Sequence, residues 1–190
     1  MTRYTILLSL LVAATISFAQ RTVPLNLEQL VKSAGIIVDA NVVKTQTGKD
    51  PDSGLLVTWI TLNVNENFYG AGNGQYTFKQ YGGEADGIAN YPAHLPRYTQ
   101  GERAIFFLTA PSKIGMQSPV GMQQGKFMVA EETAGTLKVM NASKNSSLFK
   151  GISSRKGLEK SISSYNREDG SLEYGEFAQL IRSFVQQIKQ

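Results

Sequence analysis

A chain of 190 residues with 42% apolar side chains can form one domain with an appendage; it holds no cysteine and a single histidine, His94. Disulfides, thiolate–zinc sites, cysteine nucleophiles and every metal site needing two imidazoles are excluded, and a serine triad would have to use His94. The formal net charge of +4 is uneven: residues 20–140 carry ten basic and ten acidic side chains, residues 141–190 eight against five, so the excess makes no basic groove on the main domain.

Residues 1–19 are expected to be a signal peptide. Arg3 is its charged start, Ile6 to Ile16 its apolar core, and Ser17-Phe18-Ala19 the small-x-small cleavage pattern, leaving Gln20 as the new N-terminus. The competing reading, an uncleaved membrane anchor, needs about 20 apolar residues, more than this run supplies. No cysteine follows to carry a lipid. The expected location is therefore secreted or periplasmic, with no membrane attachment after cleavage. Export without cysteines points to a bacterial route.

The spacing of Leu27, Leu30, Val31 and Ala34 predicts a short helix over Asn26–Ala34, with Asn26 and Gln29 placed as a capping box. Ile36–Thr45 reads as the first strand, with Asp39 and Asn41 on a solvated polar face. Gly48–Gly54 reads as a hairpin loop. Leu55–Gly70 is the longest strand pattern, with Ile60, Leu62 and Val64 on one side and Thr61, Asn63 and Asn65 on the other. Further strands are expected at Gln75–Tyr81, Ala104–Leu108, Met122–Ala130 and Thr136–Met140. The run Ala104–Leu108 is apolar throughout, as in a strand buried on both faces.

Asn141–Tyr165 is rich in Ser, Lys, Asn and Gly and reads as a flexible linker, 141–165. Asn141-Ala-Ser143 and Asn145-Ser-Ser147 match the glycosylation acceptor pattern. The C-terminal segment 166–190 holds an amphipathic helix over Ser171–Ile188. Ser171 is its expected cap, and Phe177, Leu180, Ile181, Phe184 and Ile188 form a stripe expected to dock on the chain's own domain.

Several near-motifs fail on their spacing or residue types. Asp169-Gly170 with Glu176 copies the end of an EF-hand loop, but Tyr165 and Arg167 stand at the first ligand positions. Gly121–Phe127 resembles a phosphate loop one residue short, with Phe127 in place of Ser/Thr. Gly70-Ala71-Gly72-Asn73-Gly74 leads into a strand rather than a helix. No cofactor is expected.

The densest polar cluster is Gly82–Arg103, read as a loop without regular structure. Loops of that length tend to be functional or disordered, and Pro92, Pro96, Tyr91, Leu95 and Tyr98 favour order. Glu84, Asp86, His94, Arg97 and Tyr98 are the candidate binding residues. Glu84 is expected to pair with Arg97 or Arg103 across the loop base, leaving Asp86 and His94 nearer solvent. The expected function is a non-enzymatic binding module for a protein, peptide or glycan partner. The alternative is a hydrolase with Glu84 and Asp86 as acid and base and His94 as shuttle. A third reading, nucleic-acid stacking on Tyr76, Phe78 and Tyr81, is disfavoured by the neutral main domain and the export signal.

The pieces in this order resemble a group of secreted bacterial proteins of unknown function. The resemblance rests on Leu25–Val31, Phe68-Tyr69-Gly70, Gly82-Gly83-Glu84, Pro96-Arg97-Tyr98, Gly101–Leu108 and Gln124–Phe127. More loosely, Ile36–Lys44, Val57–Tyr69 and the Gly-Glu turn into Ala104–Leu108 are similar to the netrin-like domain of tissue metalloprotease inhibitors, an OB-type barrel. Those inhibitors hold the protease zinc through an N-terminal cysteine, which this chain lacks. The expected fold is mainly β: an OB-like antiparallel barrel or curled sheet over residues 20–140, preceded by the short helix and packed by the C-terminal one.

Overall fold

The computed structural model describes residues 23–132, 135–152 and 169–189. The segment read as an export signal and residues 153–168 of the linker and its sequel lie outside the described residues. The capping box forms as expected. Asn26 Oδ1 accepts the Gln29 N–H and Gln29 Oε1 accepts the Asn26 N–H, each at 2.9 Å. It starts helix α1 (Leu27–Ser33), whose Leu27, Leu30 and Val31 are buried.

Strand β1 (Ile36–Lys49) follows and runs four residues past its expected end. The ladder with β2 (Leu56–Tyr69) continues through Gly48↔Val57 and Lys49↔Leu56, so the turn spans Asp50–Leu55. Asp50 organises that turn: its carboxylate accepts the Ser53 N–H and hydroxyl and meets the Lys79 ammonium at 2.9 Å. These contacts hold the Asp50 carboxyl below its usual range, the Ser53 hydrogen bond contributing most. Strand β3 (Gly74–Tyr81) completes the meander.

A small hairpin comes next, β4 (Gly83–Ala85) with β5 (Ile88–Asn90). Then follow β6 (Arg103–Leu108), a 3-10 turn (Met122–Gly125), β7 (Lys126–Glu131), β8 (Leu137–Asn141), the two-residue β9 (Leu172–Glu173) and helix α2 (Tyr174–Ile188). The expected strand over Met122–Ala130 is thus half helical turn, and pairing starts only at Lys126. The main sheet has seven antiparallel strands in the order β3-β2-β1-β6-β7-β8-β9. Among the described residues the chain is therefore mainly β with two α-helices, as its strand patterns predict. No ladder joins the ends of the sheet among the described residues. Isolated bridges, Lys79↔Met116 parallel and Leu108↔Pro119 antiparallel, lay the strip after β6 alongside β3.

The first half of β1, Ile36–Ala40, and β6 from Ala104 onward are buried on both faces, which explains the uniformly apolar Ala104–Leu108. On one face Val38, Ala40, Val42, Ile60, Leu62, Phe78, Phe106 and Leu108 form a core. On the other, Ile37, Ile105, Phe107, Phe127 and Val139 pack under α1 and α2. The α2 stripe docks there as expected: Phe177, Leu180, Ile181 and Phe184 are buried, and Phe177 lies 4.8 Å from the Phe127 ring. The helix begins later than its pattern suggests, because Leu172 and Glu173 pair with β8 first. Ser171 consequently does not cap it; its N–H donates to Asp169 Oδ1 at 2.7 Å, and Glu173 stands at the cap without a side-chain bond.

This second layer also overturns the reading of Asp39 as a solvated strand residue. Its side chain is fully buried because α2 covers that face of β1. The described part of the linker, residues 141–152, folds into turns and inserts Leu148 into the core under the helices. Asn145 is 2% exposed: its amide donates to Val139 O and Gly170 O, and its Oδ1 accepts the Asn141 N–H. Burial keeps both asparagines of the acceptor patterns from acting as glycosylation sites in the folded chain.

Candidate binding cleft

The segment 82–98 is not the unpatterned loop its composition suggests. Asp86 (φ 52°) and Gly87 (φ 76°) make a two-residue turn between Ala85 and Ile88. Asp-Gly is the residue pair that left-handed hairpin turns require, so this element had a sequence signal. The hairpin seats on β1 and β2 through Gly83, at φ 137°, where a Cβ would run into the side chains of Thr47 and Thr58. Gly82 ties it down: its N–H donates to Leu56 O at 2.9 Å and its carbonyl accepts the Thr58 hydroxyl at 2.8 Å.

The return segment, residues 91–98, is fastened to the sheet by buried polar groups. Gln80, only 7% exposed, donates to Pro96 O at 3.1 Å and accepts the Tyr98 hydroxyl at 3.0 Å. The Tyr98 ring packs edge-on to Phe78 at 5.6 Å and against Phe106 at 6.2 Å. Burial, reinforced by the Glu102 charge, pushes the Tyr98 phenol well above its ordinary range, so it stays a neutral donor. The Lys126 ammonium lies 2.6 Å from Glu102, donates to Arg97 O at 2.8 Å and sits 4.8 Å over the Tyr98 ring.

Between this strap and the β1–β2 hairpin lies a cleft of about 210 Å³. Its walls carry Thr45, Thr47, Thr58, Glu84, Tyr91 and Arg97. Glu84 and Arg97 both face it, yet they do not pair with each other. Tyr91 stands between them: its hydroxyl donates to Glu84 Oε2 at 3.2 Å while the Arg97 guanidinium stacks 3.9 Å above its ring. Arg103 is not Glu84's partner either, because Asp39 holds it, with Nη2 to Oδ2 at 2.6 Å. The expected ion pair across the loop base is therefore replaced by an acid–phenol–guanidinium stack.

Of the five candidate residues, Glu84, Arg97 and Tyr98 line this cleft. Asp86 is exposed at the hairpin tip, and His94, at φ 69°, borders a separate depression with Pro24, Gln123 and Ser143. No hydrogen bond or ion pair joins any two of Glu84, Asp86 and His94 among the described residues. Nor do three or more of their residue types cluster as a metal site there. The three aromatics weighed as a stacking platform are also divided: Phe78 is buried, Tyr76 donates to Gln117 at 2.7 Å, and Tyr81 is exposed.

The sequence reading missed Thr45, Thr47 and Thr58, which look like ordinary strand residues until the hairpin folds over them. It also missed Gln80 and Lys126, whose role follows from burial. Comparison of the chain with family models, with curated proteins and with solved structures finds no match.

Proposed function

We propose that this chain is a non-enzymatic binding module acting outside the cytoplasm, secreted or periplasmic, which engages a protein, peptide or glycan partner at the cleft under the 82–98 strap. One observation carries the reading: exposed polar groups of three chemistries, hydroxyl, carboxylate and guanidinium, converge on one cleft whose walls are held by buried Gln80 and Lys126. Such a pre-ordered wall lowers the ordering cost of binding. The hydrolase reading has less support, since Glu84, Asp86 and His94 occupy separate places.

Export is part of the proposal. No helix among the described residues is long and apolar enough to cross a membrane. Intact mass of the exported protein tests it: a chain starting at Gln20 is expected, and retention of residues 1–19 overturns it. We further propose an OB-type curl for the sheet, in keeping with the loose resemblance to netrin-like domains. Three register shifts in β1 and the Lys79–Met116 bridge support that reading.

The binding reading is tested by capture of partners from the exported fraction with wild-type protein and with Tyr91→Ala and Arg97→Ala. Loss of the captured species with both variants is expected. Equal capture by all three proteins overturns the assignment of the cleft.

A further inference from the structure

We infer that the outer edge of β1 at Lys44–Lys49 accepts an extended acidic peptide segment as an added strand. The inference rests on reading the chain as a binding module, and it names the partner's chemistry.

The observation is a change of neighbours halfway along β1. From Ile37 to Asn41 the strand pairs with β2 on one side and β6 on the other. The last backbone bonds to the β6 side are Val42 N–H to Glu102 O at 2.9 Å and Gly101 N–H to Val42 O at 2.8 Å. A register shift between Val42 and Lys44 then bends the strand, and β1 continues for six residues paired with β2 alone, from Lys44↔Thr61 to Lys49↔Leu56. No described residue bonds the backbone of this stretch from the other side. Lys44, Thr45, Gln46 and Lys49 are exposed. A strand edge of about 20 Å with open N–H and C=O groups is a template for strand addition.

Charge selects among the occupants. None of the ion pairs among the described residues uses Lys44, Lys49 or Arg97. A second copy of this stretch, Lys-Thr-Gln-Thr-Gly-Lys, would bring two further lysines and no acid to the edge, and gathering like charges there is destabilising. The chain's own segments 1–22 and 153–168 are both net basic, which disfavours them on the same ground. An acidic segment from another molecule meets both lysines. Its residues on the Thr45 and Thr47 side would lie along the wall of the cleft, because those threonines line it.

The test uses a capped peptide of about eight residues, Val-Glu-Glu-Val repeated, which carries Glu on both faces of a strand as Lys44 and Lys49 require, with a Lys-for-Glu counterpart and two forms N-methylated at every second residue, one in each phase. Binding is followed by backbone amide shifts of the full chain. Shifts centred on residues 44–49 are expected. One N-methylated form should lose about tenfold or more while the other binds like the parent, because only one edge of an added strand faces the protein. The Lys peptide should bind at least about tenfold more weakly, and Lys44→Glu with Lys49→Glu should reverse that preference. Equal behaviour of the two N-methylated forms, shifts centred elsewhere, or no binding of the parent peptide at ~1 mM overturns the inference. If the peptides fail while partner capture still depends on Tyr91 and Arg97, the edge is wrong and the cleft stands. If the peptides bind as expected and capture ignores those residues, the cleft assignment fails instead.

Discussion

Asp39 and Arg103 are diagonal neighbours across β1 and β6: Asp39 stands opposite Ile105, two residues along from Arg103. Their side chains close that gap with Nε to Oδ1 at 3.0 Å and Nη2 to Oδ2 at 2.6 Å. Tyr174, 135 residues away at the start of α2, donates its hydroxyl to the same carboxylate at 2.8 Å, and the guanidinium lies 4.9 Å from its ring. One buried carboxylate thus joins two strands and the C-terminal helix.

Arg103→Met leaves Asp39 buried without its cation. Breaking such a pair from one side costs about 3 kcal/mol, or a fall in Tm on the order of 10 °C. Thermal unfolding of wild type and Arg103→Met checks this; an unchanged Tm would show that the pair does not hold the two strands and the helix together.

Tyr174 supplies a pH dependence at the alkaline end. Burial, and then its hydrogen bond to Asp39, push its phenol from 10 up to about 12. A raised folded pKa favours the protonated form, so this contribution is fully present below pH 10 and is lost as pH rises from 10 to about 12. Wild-type stability should fall more steeply than that of Tyr174→Phe across this window. Ultraviolet titration of the two proteins should show one tyrosine fewer ionising near the upper end in the variant.

Lys126→Met removes the cation that neutralises Glu102 and holds Arg97 O. The stranded carboxylate costs about 3 kcal/mol. The strap should also loosen locally, so trypsin should cut after Arg97 faster than the change in global stability accounts for. Unchanged cleavage at Arg97 relative to other sites would separate Lys126 from the cleft.

Gly83→Ala places a methyl group against Thr47 and Thr58 at a backbone angle that side chains rarely adopt. The expected cost is about 1–3 kcal/mol, with amide shifts confined to the β4–β5 hairpin and the Thr45–Thr47 wall. Thr47→Ala should recover part of the loss, because it vacates some of the space.

Glu84→Ala should change stability by less than about 0.5 kcal/mol, because Glu84 is exposed and has a single 3.2 Å bond from Tyr91. A large fall in Tm would mean that the carboxylate holds the strap's shape after all.

The sequence alone determined the order of the strands and the two amphipathic helices. Period-two runs such as Ile60, Leu62 and Val64, and the spacing of Phe177, Leu180, Ile181 and Phe184, declare which face is apolar without reference to a partner. The capping box at Asn26 and Gln29 was legible for the same reason, because both bonds are made within four residues. The Asp86-Gly87 turn was legible too, in a stretch that length and composition made look irregular. What only the tertiary structure decided is where polar groups end up. Asp39 and Thr47 look like exposed strand residues until α2 covers one and the β4–β5 hairpin the other. Lys126 becomes a strut because Glu102 and Arg97 O arrive from elsewhere in the chain. Burial and ion pairing are relations between distant segments, and a local pattern carries only the half that one segment contributes. The free edge of β1 is of the same kind, since it exists where β6 stops at Arg103 and nothing described takes its place.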